Sequence, residues 1–234
     1  MFEKRAEETE QLDNPECDCR LVNRSHGLMN CVNRFLGGTA AVKGFLRKAA
    51  SSLPKGQCLN ILDIGSGSCD IPAALLQWAD KNKIKLRFTC VEREKRILPK
   101  MVNTASFNGL LRIIHSDIFK YHPDEQFDYA IASMFFHHLS DEQIPELITH
   151  LRPFVRRGIF INDLHRSCLP YFGCMLLLPI TGPDVLRDAR LSIRKGFRRS
   201  DLQPLLERIQ GVSVEIQTVY LGRITANIKF EKGI

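Results

Sequence analysis

No apolar run in the 234-residue chain approaches the ~20 residues that a bilayer-crossing helix needs. The opening stretch MFEKRAEETEQLDNPECDC has no apolar segment behind its basic residues, which argues against a secretory signal. Cysteine is too thinly spread for a disulfide framework: the 8 thiols lie at 17, 19, 31, 58, 69, 90, 168 and 174. Reduced thiols and a cytoplasmic location are therefore expected. Cys17 and Cys19 are the only close pair, with no second pair and no metal-ligand spacing, so no metal site is expected. Internal repeats and low-complexity linkers are absent too. What remains is an ordinary globular composition, with 44% hydrophobic and 25% charged residues, long enough for one large α/β domain.

Charge is lopsided. Residues 1–151 hold 19 basic and 19 acidic residues, whereas 152–199 hold 10 and 3, which is the whole net +7. That stripe is either a solvated face or a surface for an acidic acceptor, an anionic membrane or nucleic acid.

Residues 1–19 are acidic and polar and read as frayed. Helical spacing then predicts helices over 20–36, stopped by Gly37-Gly38, and over 40–53. An alternation follows. Strands are expected at Leu59–Ile64, Leu86–Val91, Leu111–His115, Phe127–Ser133 and Gly158–Asn162. Helices are expected at Asp70–Lys81, Lys95–Phe107 (with Ile97, Leu98, Met101, Val102 and Ala105 inward) and Asp141–Leu151. Such βα repetition builds a mostly parallel sheet covered on both faces. The regularity breaks at an insert over 164–196. Ser200-Asp-Leu-Gln203 then opens a helix with a capping-box pattern, and Val212–Val219 and Arg223–Phe230 form an antiparallel hairpin. The expected architecture is α/β: a helical cap over 1–55 and a sheet domain over 56–234 that contains the insert.

Ile61–Asp70 reads I-L-D-I-G-S-G-S-C-D, a strand running through a glycine turn into a helix. Gly65 and Gly67 let backbone approach a ligand, with Ser66 between them. A dinucleotide fingerprint needs a third glycine where this chain has Asp70, whose carboxylate repels pyrophosphate. Asp63 suits an ammonium instead. Glu92, 27 residues after Gly65, ends the second strand and can accept from both ribose hydroxyls, with Arg93 beside it. Ser116-Asp117-Ile118 follows the third strand, where Asp117 can take an adenine amino group and Ile118 can flank the ring. D-x-G-x-G, an acid after strand two and an Asp after strand three resemble the class I S-adenosylmethionine-dependent methyltransferases; Cys69 stands where many of them have a glycine. The resemblance implies a seven-stranded Rossmann-like sheet with N-terminal helices and a helical lid between strand five and the last helix. It also implies S-adenosylmethionine as cofactor and S-adenosylhomocysteine as product.

Strand four ends Ala132-Ser133-Met134-Phe135-Phe136-His137-His138-Leu139, and strand five ends Ile161-Asn162-Asp163-Leu164-His165-Arg166. Ligands in open α/β sheets lie at these strand ends, so Ser133 and Met134 are expected beside the cofactor. The catalytic candidates are His137, His138, Asp163 and His165. A neutral imidazole can take the proton of a phenol, whose pKa is roughly 10. His137 and His138 could equally be packing or capping residues, and His165 could equally contact the insert. The F-H-H-L run resembles small-molecule methyltransferases acting on sugars, quinones and polyketide phenols.

Residues 168–183, CLPYFGCMLLLPITGP, are too short to span a bilayer and too apolar for a solvated loop. They read as a lid over an apolar acceptor or as plain core, with Tyr171, Phe172 and Met175 as candidate contacts and Arg194 behind them. The segments V-N-R-F-L-G-G (32–38), I-N-D-L-H-R (161–166) and L-S-I-R-K-G-F-x-x-x-D-L (191–202) resemble a bacterial methyltransferase subgroup associated with type III polyketide synthases. That resemblance implies a role in secondary metabolism, a resorcinol, pyrone or quinone-type hydroxyl as acceptor, and Arg34 bordering the site. Contact with a membrane or a carrier protein is compatible with the basic stripe. The rivals are an RNA methyltransferase, which lacks support from any N/D-P-P-Y run after strand four, and a non-catalytic cofactor-binding module.

Overall fold

Each short apolar run bounded by glycine or polar residues forms a strand. The computed structural model describes residues 2–54, 56–99, 101, 107–219 and 222–231, and the backbone alone at 180. The strands are β1 (Cys58–Ile64), β2 (Lys85–Glu92), β3 (Leu111–His115), β4 (Phe127–Ser133), β5 (Val155–Leu164), β6 (Val212–Val219) and β7 (Arg223–Phe230). They form one sheet in the order β3-β2-β1-β4-β5-β7-β6. The first five run parallel, and β7 is antiparallel to both β5 and β6. Strand order reverses between β1 and β4, so a crevice opens at their carboxyl ends. There Asp63 lies opposite Cys90 and Ile131, and Ser133 lies opposite Asn162.

The helices are α1 (Cys19–Phe35), α2 (Gly38–Ser51), α3 (Asp70–Lys81), α4 (Gln143–Leu151), α5 (Cys168–Gly173), α6 (Leu178–Thr181), α7 (Pro183–Lys195) and α8 (Arg199–Glu207). Strand alternation divides the core into two. Leu62 and Ile64 pack with Ile144, Leu147 and Leu206, from α4 and α8, on one face. Ile61 packs with Leu46, Leu75 and Phe88, bringing α2 and α3 onto the other. Each such fully buried side chain contributes about 1.5–3 kcal/mol. The N-terminal helix α2 therefore belongs to the main core.

Several boundaries differ from the sequence reading. β5 extends beyond 158–162 because β4 and β7 pair along both its edges. α4 starts at Gln143 because Ser140 Oγ accepts the Gln143 N–H at 3.3 Å. α8 is capped two residues earlier than Ser200 implied: Asp201 accepts the Arg198 N–H at 2.7 Å. Of the helix expected over 95–107, residues 95–99 and 101 are helical; Val102 and Ala105 lie outside the described residues, as do 220 and 221 of the hairpin turn.

The expected fraying over 1–19 is corrected for residues 2–13. Residues 2–13 form an ordered strap across the carboxyl ends of the strands. The Ala6 N–H donates to Arg194 at 3.1 Å. Arg5 donates to the carbonyls of Lys195 (3.0 Å), His137 (3.2 Å) and Leu139 (2.9 Å), pairs with Asp141 at 2.6 Å, and lies over the Phe197 ring. The buried Arg166 donates to the carbonyls of Phe2 and Glu3. These are single long-range contacts to backbone, so they leave no periodicity in the sequence.

Candidate active site

At the strand ends lies a cavity of about 1280 Å³. Single-ligand pockets occupy ~300–1,000 Å³, so this one has room for two molecules side by side. One half is built on the glycine turn. Gly65 has φ +63°, and a Cβ there would stand 2.4 Å from Phe135 Cδ2. The turn is held by the Glu92 carboxylate, which accepts the N–H groups of Gly67 and Glu94, each at 2.8 Å. Asp63 is buried behind the turn. Burial pushes its carboxyl up to about 8; Ser66 opposes the rise, and the charges of Asp70 and Glu92 add to it. Burial likewise raises Asp70, against the pull of the Asn33 amide at 3.2 Å. Asp117 accepts the Phe119 N–H at 3.0 Å and shares the cavity wall with Arg93, Ser116 and Ile118. Ser133 Oγ accepts from Asn162 at 2.8 Å, and Met134 follows in a left-handed conformation at φ +55°.

Beneath the floor lies Arg223, 1% exposed, donating to Asn33 Oδ1 at 3.1 Å. Burial pushes its guanidinium down to about 10, while Asp163 and Asp70 pull it up. A Cβ on Gly38 would sit 2.6 Å from Asn33 Oδ1 and 2.9 Å from Arg223 Nη2, so only glycine leaves room for this contact. That accounts for the second glycine of V-N-R-F-L-G-G.

The other half centres on His137, whose Nδ1 lies 2.6 Å from Asp163 Oδ1. Asp163 is fully buried and also accepts the N–H groups of Leu164 (2.7 Å) and His137 (3.2 Å). Burial works to raise its carboxyl, but His137 and the Leu164 N–H hold it below its ordinary value. A carboxylate only accepts, which assigns a ring proton to Nδ1. Nε2 is 3.9 Å from Glu10 Oε1, supplied by the strap. Glu10 is 3% exposed, and Oε1 has no hydrogen-bond partner. Lys195 Nζ stands 3.4 Å from Glu10 and 3.8 Å from Asp13. His138 Nδ1 is 3.5 Å from Asp13. Burial depresses the His138 pKa, but Asp13 and Glu10 outweigh it and the net shift is upward. Ligand atoms of Glu10, His137 and His138 lie within 4.8 Å of one another. Because the Lys195 ammonium already neutralises Glu10, the cluster reads as an acid–base network rather than a cation site.

The cavity wall includes Asp63, Gly65, Ser66, Gly67, Glu92, Arg93, Ser116, Asp117, Ile118, Ser133, Met134, His137 and His138. Asp163 stands one layer behind, reaching the cavity through His137. The structure places the other expected residues elsewhere. The His165 backbone is bonded to Gly222 and bridges Phe197, and burial followed by Arg198 and Arg166 depresses its pKa. Arg34 is exposed, its guanidinium over the Phe35 ring. The inner face of α1 runs through Val22, Ser25 and Asn33, so Asn33 rather than Arg34 reaches the site. Tyr171 is buried with Leu164 and Ile193, edge-on to Phe2 and beneath Arg190. Phe172 and Met175 point outward, and the wall is made instead by Leu169, Pro170, Gly173, Cys174, Leu176 and Leu177. Arg194 pairs with Glu8 at 3.1 Å. Much of the basic stripe is thus spent inside the protein: Arg190 on the Tyr171 hydroxyl, Arg194 and Lys195 on the strap, Arg198 on the Arg166 carbonyl. Glu10, Asp13, Asn33 and Arg223 were not anticipated. The helical spacing from Val22 could have picked out Asn33; no local pattern marks the others.

Residues 61–158 match the sequence family described as a methyltransferase domain. No curated protein matches the sequence. The fold is shared with the plantazolicin methyltransferase BpumL in complex with SAH (TM-score 0.70, 14% identity, 95% of this chain and 93% of that one). It is also shared with magnesium protoporphyrin IX methyltransferase (ChlM) from Synechocystis PCC 6803 with bound SAH (0.56, 13%, 83% and 82%). A third similar structure is the citrinin polyketide synthase CMeT domain (0.62, 9%, 82% and 52%). The architecture is therefore the seven-stranded Rossmann-like methyltransferase sheet.

Proposed function

We propose that the protein transfers a methyl group from S-adenosylmethionine to a hydroxyl of an apolar, aromatic small molecule of the polyketide phenol, resorcinol, pyrone or quinone type. One observation carries the reading: a single cavity has buried carboxylates around a glycine turn at one end and an Asp163-backed imidazole at the other.

The residues present suit that cofactor. Asp63, Asp70 and Glu92 converge on the turn, and burial leaves Asp63 short of a compensating positive charge. A ligand bearing an ammonium and a sulfonium answers this need; a pyrophosphate would aggravate it. Asp63 would hold the ammonium, Glu92 the ribose hydroxyls, and Asp117 with Ile118 the adenine. When bound, S-adenosylmethionine supplies an electrophilic methyl. The chain's own residues then have two tasks, to align the acceptor and to take its proton. Pro170, Leu177, Val185 and Ile193 give the acceptor an apolar wall. His137 Nε2 accepts the hydroxyl proton, Asp163 fixes the tautomer and stabilises the imidazolium that forms, and Lys195 keeps Glu10 from repelling an anionic oxygen. Positioned proton transfer of this kind contributes about 10²–10⁴-fold.

The test is a mass-spectrometric screen of phenols, quinones and alkylresorcinols with methyl-deuterated cofactor. We expect one acceptor class to gain a labelled methyl on oxygen, with His137→Ala abolishing the gain. Methylation of carbon or nitrogen alone, or an unchanged rate in His137→Ala, would sink the assignment.

A further inference from the structure

We propose that the mouth of the cavity is a docking face for an anionic phospholipid surface, from which the acceptor enters directly. Delivery of the acceptor rests on the methyl-transfer reading; the docking face itself does not.

Among the described residues, eight large hydrophobic side chains are exposed, and seven belong to two segments, the end of α1 and residues 169–178. Phe35 (68% exposed) and Leu36 end α1. Leu169 (74%), Phe172 (57%), Met175, Leu176 (82%) and Leu178 project from α5, α6 and the turn between them. Leu36, Leu169 and Leu176 also line the cavity, which fixes this apolar patch at its rim. Asn33, two residues before Phe35, accepts from Arg223, and a Cβ on the adjacent Gly222 would meet Pro170 Cβ at 2.7 Å, which brings the end of α1 toward the start of α5. Proteins that stay free in solution rarely leave such a patch uncovered.

Within the two segments that carry it, charge has one sign. Residues 19–36 contain Arg20, Arg24 and Arg34, all exposed, and no Asp or Glu; residues 164–183 contain no Asp or Glu either. The Arg34 guanidinium sits 5.3 Å from the Phe35 ring centroid, so the cation and the apolar anchor are adjacent. No described helix is long and apolar enough to cross a membrane, which leaves a face that lies on one. Protruding leucine and phenylalanine side chains flanked by arginines match interfacial insertion, with apolar tips entering the acyl boundary and guanidinium groups at the phosphates. A second copy fits poorly: two-fold pairing of the patch would set these arginines against their own images.

The experiment is co-sedimentation of the full chain with vesicles of phosphatidylcholine alone or mixed with phosphatidylglycerol. The wild type is expected to bind the mixed vesicles, more weakly as salt rises, and to bind phosphatidylcholine much less. Phe35→Asp with Phe172→Asp, at positions outside the cavity wall, should lower the bound fraction roughly tenfold or more. Arg34→Ala, a milder change, should lower it about fivefold. Calorimetric binding of S-adenosylmethionine checks that each variant is folded. It also separates the two proposals, because vesicle binding without cofactor binding would leave the docking face standing and remove the methyltransferase reading. No binding to mixed vesicles at low salt would overturn the docking face. So would equal binding to both vesicle types, or a wild-type dimer in light scattering that Phe35→Asp/Phe172→Asp dissociates. Retention on immobilised polyglutamate without vesicle binding would assign the face to an acidic protein and overturn it equally.

Discussion

Binding of S-adenosylmethionine should expel a proton, and Asp63 should be its source. With its carboxyl pushed up to about 8 by burial, Asp63 is about nine-tenths protonated at pH 7 in the free protein. An ammonium placed against it draws the carboxyl back toward the ordinary carboxylate range, so binding at pH 7 should release about 0.9 proton. The ionised fraction rises from about one in a hundred at pH 6 to about one in eleven at pH 7. Affinity should therefore tighten about ninefold over that interval. The assay is isothermal calorimetry in buffers of different ionisation enthalpy, where the slope of apparent enthalpy gives the protons released. Asp63→Asn should bind more weakly and lose both the slope and the pH dependence. The same shift has a consequence for stability. Because the folded value lies above the unfolded one, the contribution from neutral Asp63 is present at low pH and is lost as pH rises through about 8. Asp63→Asn should therefore melt higher than wild type above pH 8. Wild-type binding without proton release, or a slope retained in Asp63→Asn, would refute this account of the buried carboxylate.

Other outcomes follow from the same geometry. Asp163→Asn should cut kcat by about 10²–10⁴-fold while changing cofactor affinity less than about twofold; a parallel loss of both would mean that Asp163 holds the fold rather than the His137 tautomer. Gly65→Ala, at φ +63° with its Cβ 2.4 Å from Phe135, should destabilise by about 1–3 kcal/mol in thermal melts. Strap docking should depend on pH in both directions. The His138 pKa is raised, so its contribution is present below about 6.5 and lost as pH rises through the folded value. Asp13 is pulled down to about 2, against burial, by His138 and then Lys195, so its contribution is present above about 4 and lost as pH falls through about 2. Amide exchange of residues 5–13, corrected for intrinsic rates, should be slowest between these limits; protection that increases above pH 7 would contradict the ion-pair account of the strap.

The sheet was largely legible because its information is local. Four strands, β3, β4, β6 and β7, begin and end where alternation and turn residues put them, and the glycine turn announces itself in ten consecutive residues. The half of the cavity built on the glycine turn inherits that legibility, since Asp63, Glu92 and Asp117 each lie within two residues of a strand end. The half centred on His137 does not. Which face of α5 lines the wall depends on how that short helix rolls against the strap, and an aromatic reading chose Tyr171 and Phe172 where packing chose Leu169, Gly173 and Leu177. Arg34 was expected from the resemblance of V-N-R-F-L-G-G alone, whereas the apolar spacing of α1 turns Asn33 inward. Glu10 reaches His137 across 127 residues of sequence through a segment of irregular backbone, and no composition or period encodes such a contact.

The central claim is that the carboxylate-lined glycine turn selects S-adenosylmethionine over a dinucleotide. Native mass spectrometry of the full chain, incubated in turn with S-adenosylmethionine and with NAD, tests it most directly. We expect one S-adenosylmethionine per chain, lost in Asp63→Ala and Glu92→Ala, and no NAD adduct. Retention of NAD, or no S-adenosylmethionine adduct on the folded wild type, would contradict it.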